Sequence, residues 1–198
     1  MSYQVTIEPL GQVIEVAEGQ TILDASLRAG IYLPHACCHG LCATCKVQIV
    51  DGEVEHGEAS TFALMDFERE ENKCLACCAV PQSDLTIEAD VEVEPDARNL
   101  PVQDYGGVVT RIEDLTPTIK GVWIRLRGTE PLRFQAGQYI NLEVPQHGHR
   151  AFSLANPPSS GADIELNVRL VPGGAATRSV HGPHPRLRSA QGDRVASR

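Results

Sequence analysis

Pro34-His35-Ala36-Cys37-Cys38-His39-Gly40-Leu41-Cys42-Ala43-Thr44-Cys45-Lys46 decides how the rest of this chain is read. Cys37, Cys42 and Cys45 stand in the order C-x4-C-x2-C, and a second run, Cys74-Leu75-Ala76-Cys77-Cys78, follows far downstream. Three thiolates at that spacing with a distant fourth are the ligand pattern of a [2Fe–2S] cluster. The reason is geometric. A loop folded over an inorganic core aims its sulfurs inward and offers backbone N–H groups to the sulfides. Small residues such as Ala36, Gly40 and Ala43 let the backbone come that close. A four-cysteine zinc site is the competing pattern, but it favours two short C-x2-4-C pairs, which the long gap before the second run does not supply. Seven cysteines compete for four places. Cys37 rather than Cys38 fits the spacing to Cys42, while Cys74, Cys77 and Cys78 all remain candidates for the fourth position.

Working outward, 198 residues suffice for two modest domains, each with its own core. The formal charge of −9 is divided unevenly: residues 1–100 carry −13 and residues 101–198 carry +4. An acidic front half excludes nucleic acid as the expected partner, since phosphates call for a basic face, and it suits docking on a basic protein patch. The odd number of cysteines, bunched in two runs, points to metal ligation in a reducing compartment rather than to a disulfide framework. With no signal peptide ahead of Tyr3-Gln4-Val5, the expected location is the cytoplasm. No apolar run approaches the roughly 20 residues that span a bilayer, so no membrane partner is expected.

Tyr3, Val5 and Ile7 alternate with polar residues, Pro9-Leu10-Gly11 turns the chain, and Val13–Val16 reads as the return strand of a hairpin. Thr21 with Asp24 three residues later predicts the start of a short amphipathic helix through Ile22, Leu23, Leu27 and Ala29, closed by Gly30. After the cysteine loop, residues 46–50 alternate as a strand and Asp51-Gly52 reads as a hairpin turn. Ser60 is the expected cap of a one- or two-turn helix through Phe62, Leu64 and Met65, and residues 85–88 read as the last strand. Two strands, a helical crossover and further strands make a small α+β domain of the β-grasp pattern over residues 1–92. The acidic, proline-bearing stretch 93–102 reads as a linker. Residues 103–198 are richer in strand formers and more basic. Strand candidates at 107–113, 118–127, 138–144, 151–155 and 164–171, with Pro/Gly turns between, predict a small antiparallel β-barrel. Gly173 and Gly174 open a segment through Thr177 to Val180 with helical character.

The stretch Cys74–Glu88 resembles the end of the ferredoxin domain of bacterial reductases, in which the cysteine after Leu-Ala is a ligand. The resemblance therefore implies a plant-type cluster on Cys37, Cys42, Cys45 and Cys77. Cys38, Cys74 and Cys78 are then expected to be spare thiols acting as small buried hydrophobes. His35 and His39 flank the loop, but four well-spaced cysteines leave no need for the histidine pair of a Rieske centre. Arg150-Ala151-Phe152-Ser153, preceded by Phe134-Gln135-Ala136-Gly137-Gln138-Tyr139, resembles the R-x-[YF]-S flavin motif of the ferredoxin reductase family and its upstream strand. In such a site Arg150 supplies a cationic fork for a pyrophosphate oxygen, Phe152 a flat face for the isoalloxazine ring, and Ser153 a hydrogen bond to its polar edge. Gly174, Ala175 and Thr177 suit a phosphate, with backbone N–H groups and a hydroxyl at a helix start. Val168 and Arg169 line the same pocket by resemblance.

A ferredoxin domain, a linker and an FAD-type barrel in this order resemble the reductase component of bacterial multicomponent monooxygenases, and most nearly the phenol hydroxylase reductases. Gly57–Ser60, Leu115–Gly121 and Arg150–Pro158 carry that likeness beside the motifs above. The resemblance implies an NADH-dependent flavin and iron–sulfur oxidoreductase: electrons pass from NADH to FAD, then singly to the cluster, then to a di-iron oxygenase of a phenol or aromatic hydroxylase system. No catalytic acid–base residue is needed for that chemistry. The family continues into a nucleotide-binding domain, whereas nothing follows Arg198. This reads as a chain cut short, with an incomplete barrel lacking its closing strand. The alternative expectation is a non-enzymatic, ferredoxin-like electron carrier whose flavin domain does not function.

Overall fold

The computed structural model describes residues 1–91, 100–128, 132–144, 148–159, 163–174, 177, 180–181 and 194–197. The chain divides into two compact units, Met1–Pro101 and Val102–Arg198. Most of the expected linker, residues 93–99, lies outside the described residues. Its end does not: the Tyr32 hydroxyl donates to the Leu100 carbonyl at 2.8 Å, fastening residue 100 to the first unit.

In the first unit, β1 (Ser2–Glu8) and β2 (Gln12–Ala17) form the expected hairpin, with Val5 opposite Ile14. The helix α1 (Ile22–Arg28) crosses over, and β3 (Lys46–Asp51), β5 (Lys73–Leu75) and β7 (Leu85–Glu88) complete a five-stranded sheet in the order β2-β1-β7-β3-β5. A separate two-stranded ladder joins β4 (Val54–Glu55) to β6 (Val80–Pro81). β1 and β7 run parallel, which requires a crossover. Alternation in β1, β2 and β7 buries Val5, Ile7, Ile14, Val16, Leu85 and Ile87 on the inner face.

Seven residues are too few for a helix to stand alone in water. Tertiary bonds hold α1 instead. The Thr21 hydroxyl accepts from Asp24 N–H, and Arg28 pairs with Asp24 at 2.9 Å. The helix's first N–H groups also go outward, from Ile22 to the Ala79 carbonyl and from Leu23 to the Ala76 carbonyl. These two bonds clasp the turn that carries Cys77 and Cys78, so the crossover helix locates the distant cysteines.

Two local expectations are corrected. Asp51-Gly52 is not a two-residue hairpin, because β3 pairs with β5 and β7 while β4 pairs with β6. Gly52 has φ +93°, and a Cβ there would run into the Asp84 carbonyl. The glycine is set by close approach to β7 and not by turn type. Ser60 caps a single turn, with Leu64 N–H bonded to its carbonyl at 2.9 Å, and the helix α2 (Asp66–Glu70) begins only after Met65. There the Glu68 carboxylate reaches back to the Met65 N–H at 3.0 Å, half of a capping box three residues ahead of a charged stretch.

In the second unit, the long strand β8 (Asp104–Thr116) pairs with β9 (Ile119–Leu126), and β9 pairs with β12 (Asp163–Arg169). β10 (Tyr139–Val144) pairs with β11 (Gly148–Ser153), and β13 (Arg194–Ser197) lies between β10 and β8. The order β11-β10-β13-β8-β9-β12 leaves β11 and β12 at the two ends. They meet beyond β11 through one bridge, Leu154 opposite Leu166, and one bond from Ala155 N–H to the Glu165 carbonyl at 2.8 Å. The barrel is thus incomplete, as expected, but the reason differs. The strand expected to be missing is present as four residues, and the gap lies at the β11/β12 seam. Val122, Ile124, Ile140, Leu142, Ile164, Leu166 and Val168 fill the interior. Among the described residues no helix is long and apolar enough to cross a membrane.

Candidate electron-transfer sites

The cysteine loop runs from the end of α1 to the start of β3. Three of its residues, Cys38 (φ +58°), Gly40 (φ +71°) and Ala43 (φ +61°), take the left-handed conformation. This repeated reversal curls the loop, so that N–H groups turn toward sulfur instead of solvent. His39 and Leu41 N–H each donate to Cys37 Sγ at 3.4 Å, and Cys37 N–H donates to Cys42 Sγ at 3.5 Å. The Thr44 hydroxyl lies 3.2 Å from Cys42 Sγ. Gly40 is required for packing as well as for its φ. A Cβ there would sit 2.8 Å from Cys78 Sγ and 3.1 Å from both Ala59 Cα and the Glu58 carbonyl. The loop is pinned to the rest of the unit by Ser60 N–H on the Gly40 carbonyl and Ala76 N–H on the Cys45 carbonyl.

Among the described residues no three His, Cys, Asp or Glu side chains converge to hold a single metal ion. Thiols of both runs lie close enough to act on one another: Cys37 N–H bonds Cys42 Sγ, and Cys45 feels both Cys77 and Cys42. Thiols drawn together from both runs suit an iron–sulfur core. The donor chemistry agrees. The Thr44 hydroxyl, followed by the Cys37 N–H, pulls the Cys42 thiol down to about 6, which makes it a thiolate at neutral pH. The hydrogen bond with Cys77, followed by burial, pushes the Cys45 thiol far up, so iron would displace that proton on binding.

Of the three thiols expected to be spare, only Cys74 is a buried hydrophobe; it is wholly buried on β5, and burial pushes it up to about 12. Cys38 and Cys78 are half-buried, contrary to expectation. The Cys38 thiol faces the Ala36 carbonyl at 3.8 Å. Cys78 Sγ lies 3.6 Å from Cys77 Sγ. Ligand spacing does not mark Thr44 or the N–H donors of His39 and Leu41. For Thr44 the one available signal is a hydroxyl residue between Cys42 and Cys45.

The candidate flavin residues gather at the β11/β12 seam. Arg150, Ala151, Phe152 and Ser153 lie on β11, Val168 and Arg169 end β12, and Gly174 and Thr177 follow in the next turn. Ala175 lies outside the described residues. The exposed Arg150 guanidinium bonds the neighbouring His149 carbonyl at 2.7 Å, and Arg169 is exposed. Neither forms an ion pair among the described residues, unlike Arg125 with Asp163, Arg111 with Glu113 and Lys120 with Asp114. Two exposed guanidinium groups without carboxylates at one seam fit a pyrophosphate.

Other features qualify the expected roles. Phe152 is half-buried and packs against the barrel core. The Val168 side chain belongs to that core, and its carbonyl is hydrogen-bonded by the His181 ring at 2.9 Å, so Val168 would not line a pocket with its side chain. The Thr177 hydroxyl is engaged with Val171 and the Gly174 carbonyl, and Gly174 N–H bonds the Val171 carbonyl at 2.9 Å. These bonds shape the turn and leave the hydroxyl less free for a phosphate.

Residues 5–82 match the 2Fe-2S iron-sulfur cluster binding domain family, and residues 107–187 match the oxidoreductase FAD-binding domain family. The chain is 64% identical over 182 residues to the reductase component DmpP of phenol 2-monooxygenase from Pseudomonas sp. (strain CF600), covering 91% of this chain and 51% of that protein. It is 62% identical over 182 residues to the phenol hydroxylase P5 protein of Acinetobacter pittii (strain PHEA-2), with the same coverage. The crystal structure of the Amycolatopsis cytochrome P450 reductase GcoB superposes with a TM-score of 0.81 at 36% identity, covering 98% of this chain and 56% of that one. The chain spans about half the length of the curated relatives it matches.

Proposed function

We propose that this chain, which matches 2Fe-2S iron-sulfur cluster binding domains over residues 5–82 and oxidoreductase FAD-binding domains over residues 107–187, is the electron-transferring part of a monooxygenase reductase. It carries electrons from NADH through FAD and a [2Fe–2S] cluster to the di-iron oxygenase of a phenol or aromatic hydroxylase system, in the cytoplasm. The observation that carries this reading is a cysteine loop whose N–H groups at Cys37, His39 and Leu41, with the Thr44 hydroxyl, turn onto the sulfurs of Cys37 and Cys42.

Bound FAD supplies the exchange between a two-electron donor and one-electron steps, and the cluster supplies a one-electron carrier. The residues of this chain would do the rest. Cys37, Cys42, Cys45 and Cys77 would hold the irons. The N–H groups of His39 and Leu41 and the Thr44 hydroxyl would hold sulfur charge in place, which would raise the reduction potential relative to a bare loop. At the seam Arg150 and Arg169 would neutralise the pyrophosphate, Ser153 would bond the ring edge, and Phe152, fixed by the core, would offer the ring a stationary surface. Gly174, Ala175 and Thr177 would hold a phosphate through backbone groups more than through the Thr177 hydroxyl.

Reconstitution tests the reading. The chain is incubated anaerobically with ferrous iron, sulfide and FAD, desalted, and assayed for iron, sulfide and flavin with its visible spectrum. Two irons, two sulfides and one flavin per chain are expected. The engaged Thr177 hydroxyl favours a second reading, a ferredoxin-like carrier with an idle flavin unit. An iron–sulfur spectrum without retained flavin would select it. A colourless protein would sink both.

A further inference from the structure

Neighbouring residues ordinarily send their side chains to different sides of a helix or to opposite faces of a strand. Cys77 and Cys78 do not: their Sγ atoms lie 3.6 Å apart. The turn between β5 and β6 brings this about. Cys78 N–H and Ala79 N–H both bond the Leu75 carbonyl at 2.9 Å, and Ala76 and Ala79 are wholly buried. The two cysteines between those alanines are both half-buried. The bonds from Ile22 to the Ala79 carbonyl and from Leu23 to the Ala76 carbonyl hold the turn at both ends.

The Cys78 sulfur also meets the cysteine loop. A Cβ at Gly40, which stands between Cys37 and Cys42 in the chain, would lie 2.8 Å from it, so glycine at 40 leaves the room that this sulfur occupies. A Cβ at Gly57 would come within 2.7 Å of the Cys78 carbonyl, so the backbone of Cys78 is closely packed as well. Cys37 and Cys45 are near enough for their charge to be felt at Cys78. Cys78 therefore stands against Cys77 on one side and against the loop on the other. Cys74, by contrast, is wholly buried on β5.

We propose that Cys78 is a reserve iron ligand, a fifth thiolate that takes the place of Cys77 when Cys77 lets go of the iron or is removed from the chain. This rests on the reading of Cys37, Cys42, Cys45 and Cys77 as the ligands of a [2Fe–2S] site. The exchange moves no electron. The Cys78 thiol gives up its proton as it binds, and Cys77 takes one up as it leaves. With the two sulfurs 3.6 Å apart, rotation of the Cys78 side chain brings its sulfur toward the place of Cys77 while the clasped backbone stays fixed. Cys42, flanked by Leu41 and Ala43, has no such substitute beside it.

The test reconstitutes the full chain and its variants anaerobically with ferrous iron and sulfide, and reads iron, sulfide and the visible spectrum. Alanine offers no donor, so Cys77→Ala can assemble the site only through another thiol. It is expected to hold two irons and two sulfides per chain, with a spectrum shifted from that of the unaltered chain. The double change Cys77→Ala, Cys78→Ala should hold less than about one-tenth of that iron, and Cys42→Ala should be equally empty. Equal iron in the single and double variants would overturn the proposal, as would a Cys77→Ala chain that keeps its far-UV circular dichroism and stays empty. Cys78→Ala, which retains all four proposed ligands, decides the matter should Cys77→Ala fail to fold. Its spectrum should bleach about tenfold faster in excess EDTA than that of the unaltered chain, because no second thiol recaptures the iron. Equal bleaching rates would overturn the proposal. An unaltered chain that takes up no iron would overturn the ligand reading, and the reserve role with it.

Discussion

Replacing Gly40 by alanine probes the cysteine loop without touching a ligand. Gly40 has φ +71°, so the left-handed backbone costs an alanine about 1–2 kcal/mol. Its Cβ would also lie 2.8 Å from Cys78 Sγ and 3.1 Å from the Ala59 Cα and the Glu58 carbonyl. Two of those three neighbours are backbone atoms, so relief requires the loop or the 58–60 segment to move. That movement breaks the Ser60 N–H bond to the Gly40 carbonyl, worth about 1 kcal/mol. Together the expected loss is roughly 2–3 kcal/mol. Gly19→Ala is the matched control: its φ is +76°, and nothing lies within 4 Å of the added Cβ. It should lose only the backbone share, about 1–2 kcal/mol. Urea unfolding of the two variants, each with its iron content measured, gives the comparison. Gly40→Ala should unfold at clearly lower urea than Gly19→Ala and retain less iron. Equal midpoints for the two would refute the claim that close packing, and not backbone conformation alone, demands glycine at 40.

Cys42→Ser should abolish the cluster spectrum, whereas Cys38→Ser, whose thiol faces the Ala36 carbonyl, should leave it largely intact; loss in the second variant would overturn the ligand assignment. Removal of the Arg150 guanidinium by Arg150→Ala should weaken FAD binding about 10- to 100-fold in a flavin fluorescence titration, the worth of one charge-assisted contact, and an unchanged Kd would exclude Arg150 from the site. Burial, then the neighbouring Arg69 charge, holds the His56 imidazole below its ordinary value, and its buried Nδ1 has no hydrogen-bond partner. The unfolded chain then takes up a proton first as pH falls below about 6.5, so stability should decline from there through the lowered folded value. His56→Gln should flatten the slope of urea midpoint against pH between about 7.5 and 5, and an unchanged slope would place the titration elsewhere.

Much of this molecule is legible in one dimension because its signals are local. Cysteine spacing, the Thr21 cap, the alternation of β1, β2 and β7, and the shift in composition after the linker each depend on near neighbours along the chain. The resemblance of Arg150–Ser153 to a flavin motif likewise travels with four residues. Among the inferences that failed were chain direction at Gly52, helix onset at Ser60, the burial of Cys38 and Cys78, and the absence of the strand at 194–197. The Asp84 carbonyl decides the first, and the Glu68 carboxylate together with the burial of Ala63 and Leu64 shapes the second.

The sequence by itself determined which atoms can bind iron and in what order they come, since thiol chemistry and spacing belong to the chain. Only the tertiary structure decided how they are presented. Three left-handed residues turn N–H groups onto sulfur, and α1 clasps the Cys77 turn. The bond from the Ser60 N–H to the Gly40 carbonyl, which pins the loop, also belongs to the tertiary level, since no spacing along the chain encodes it.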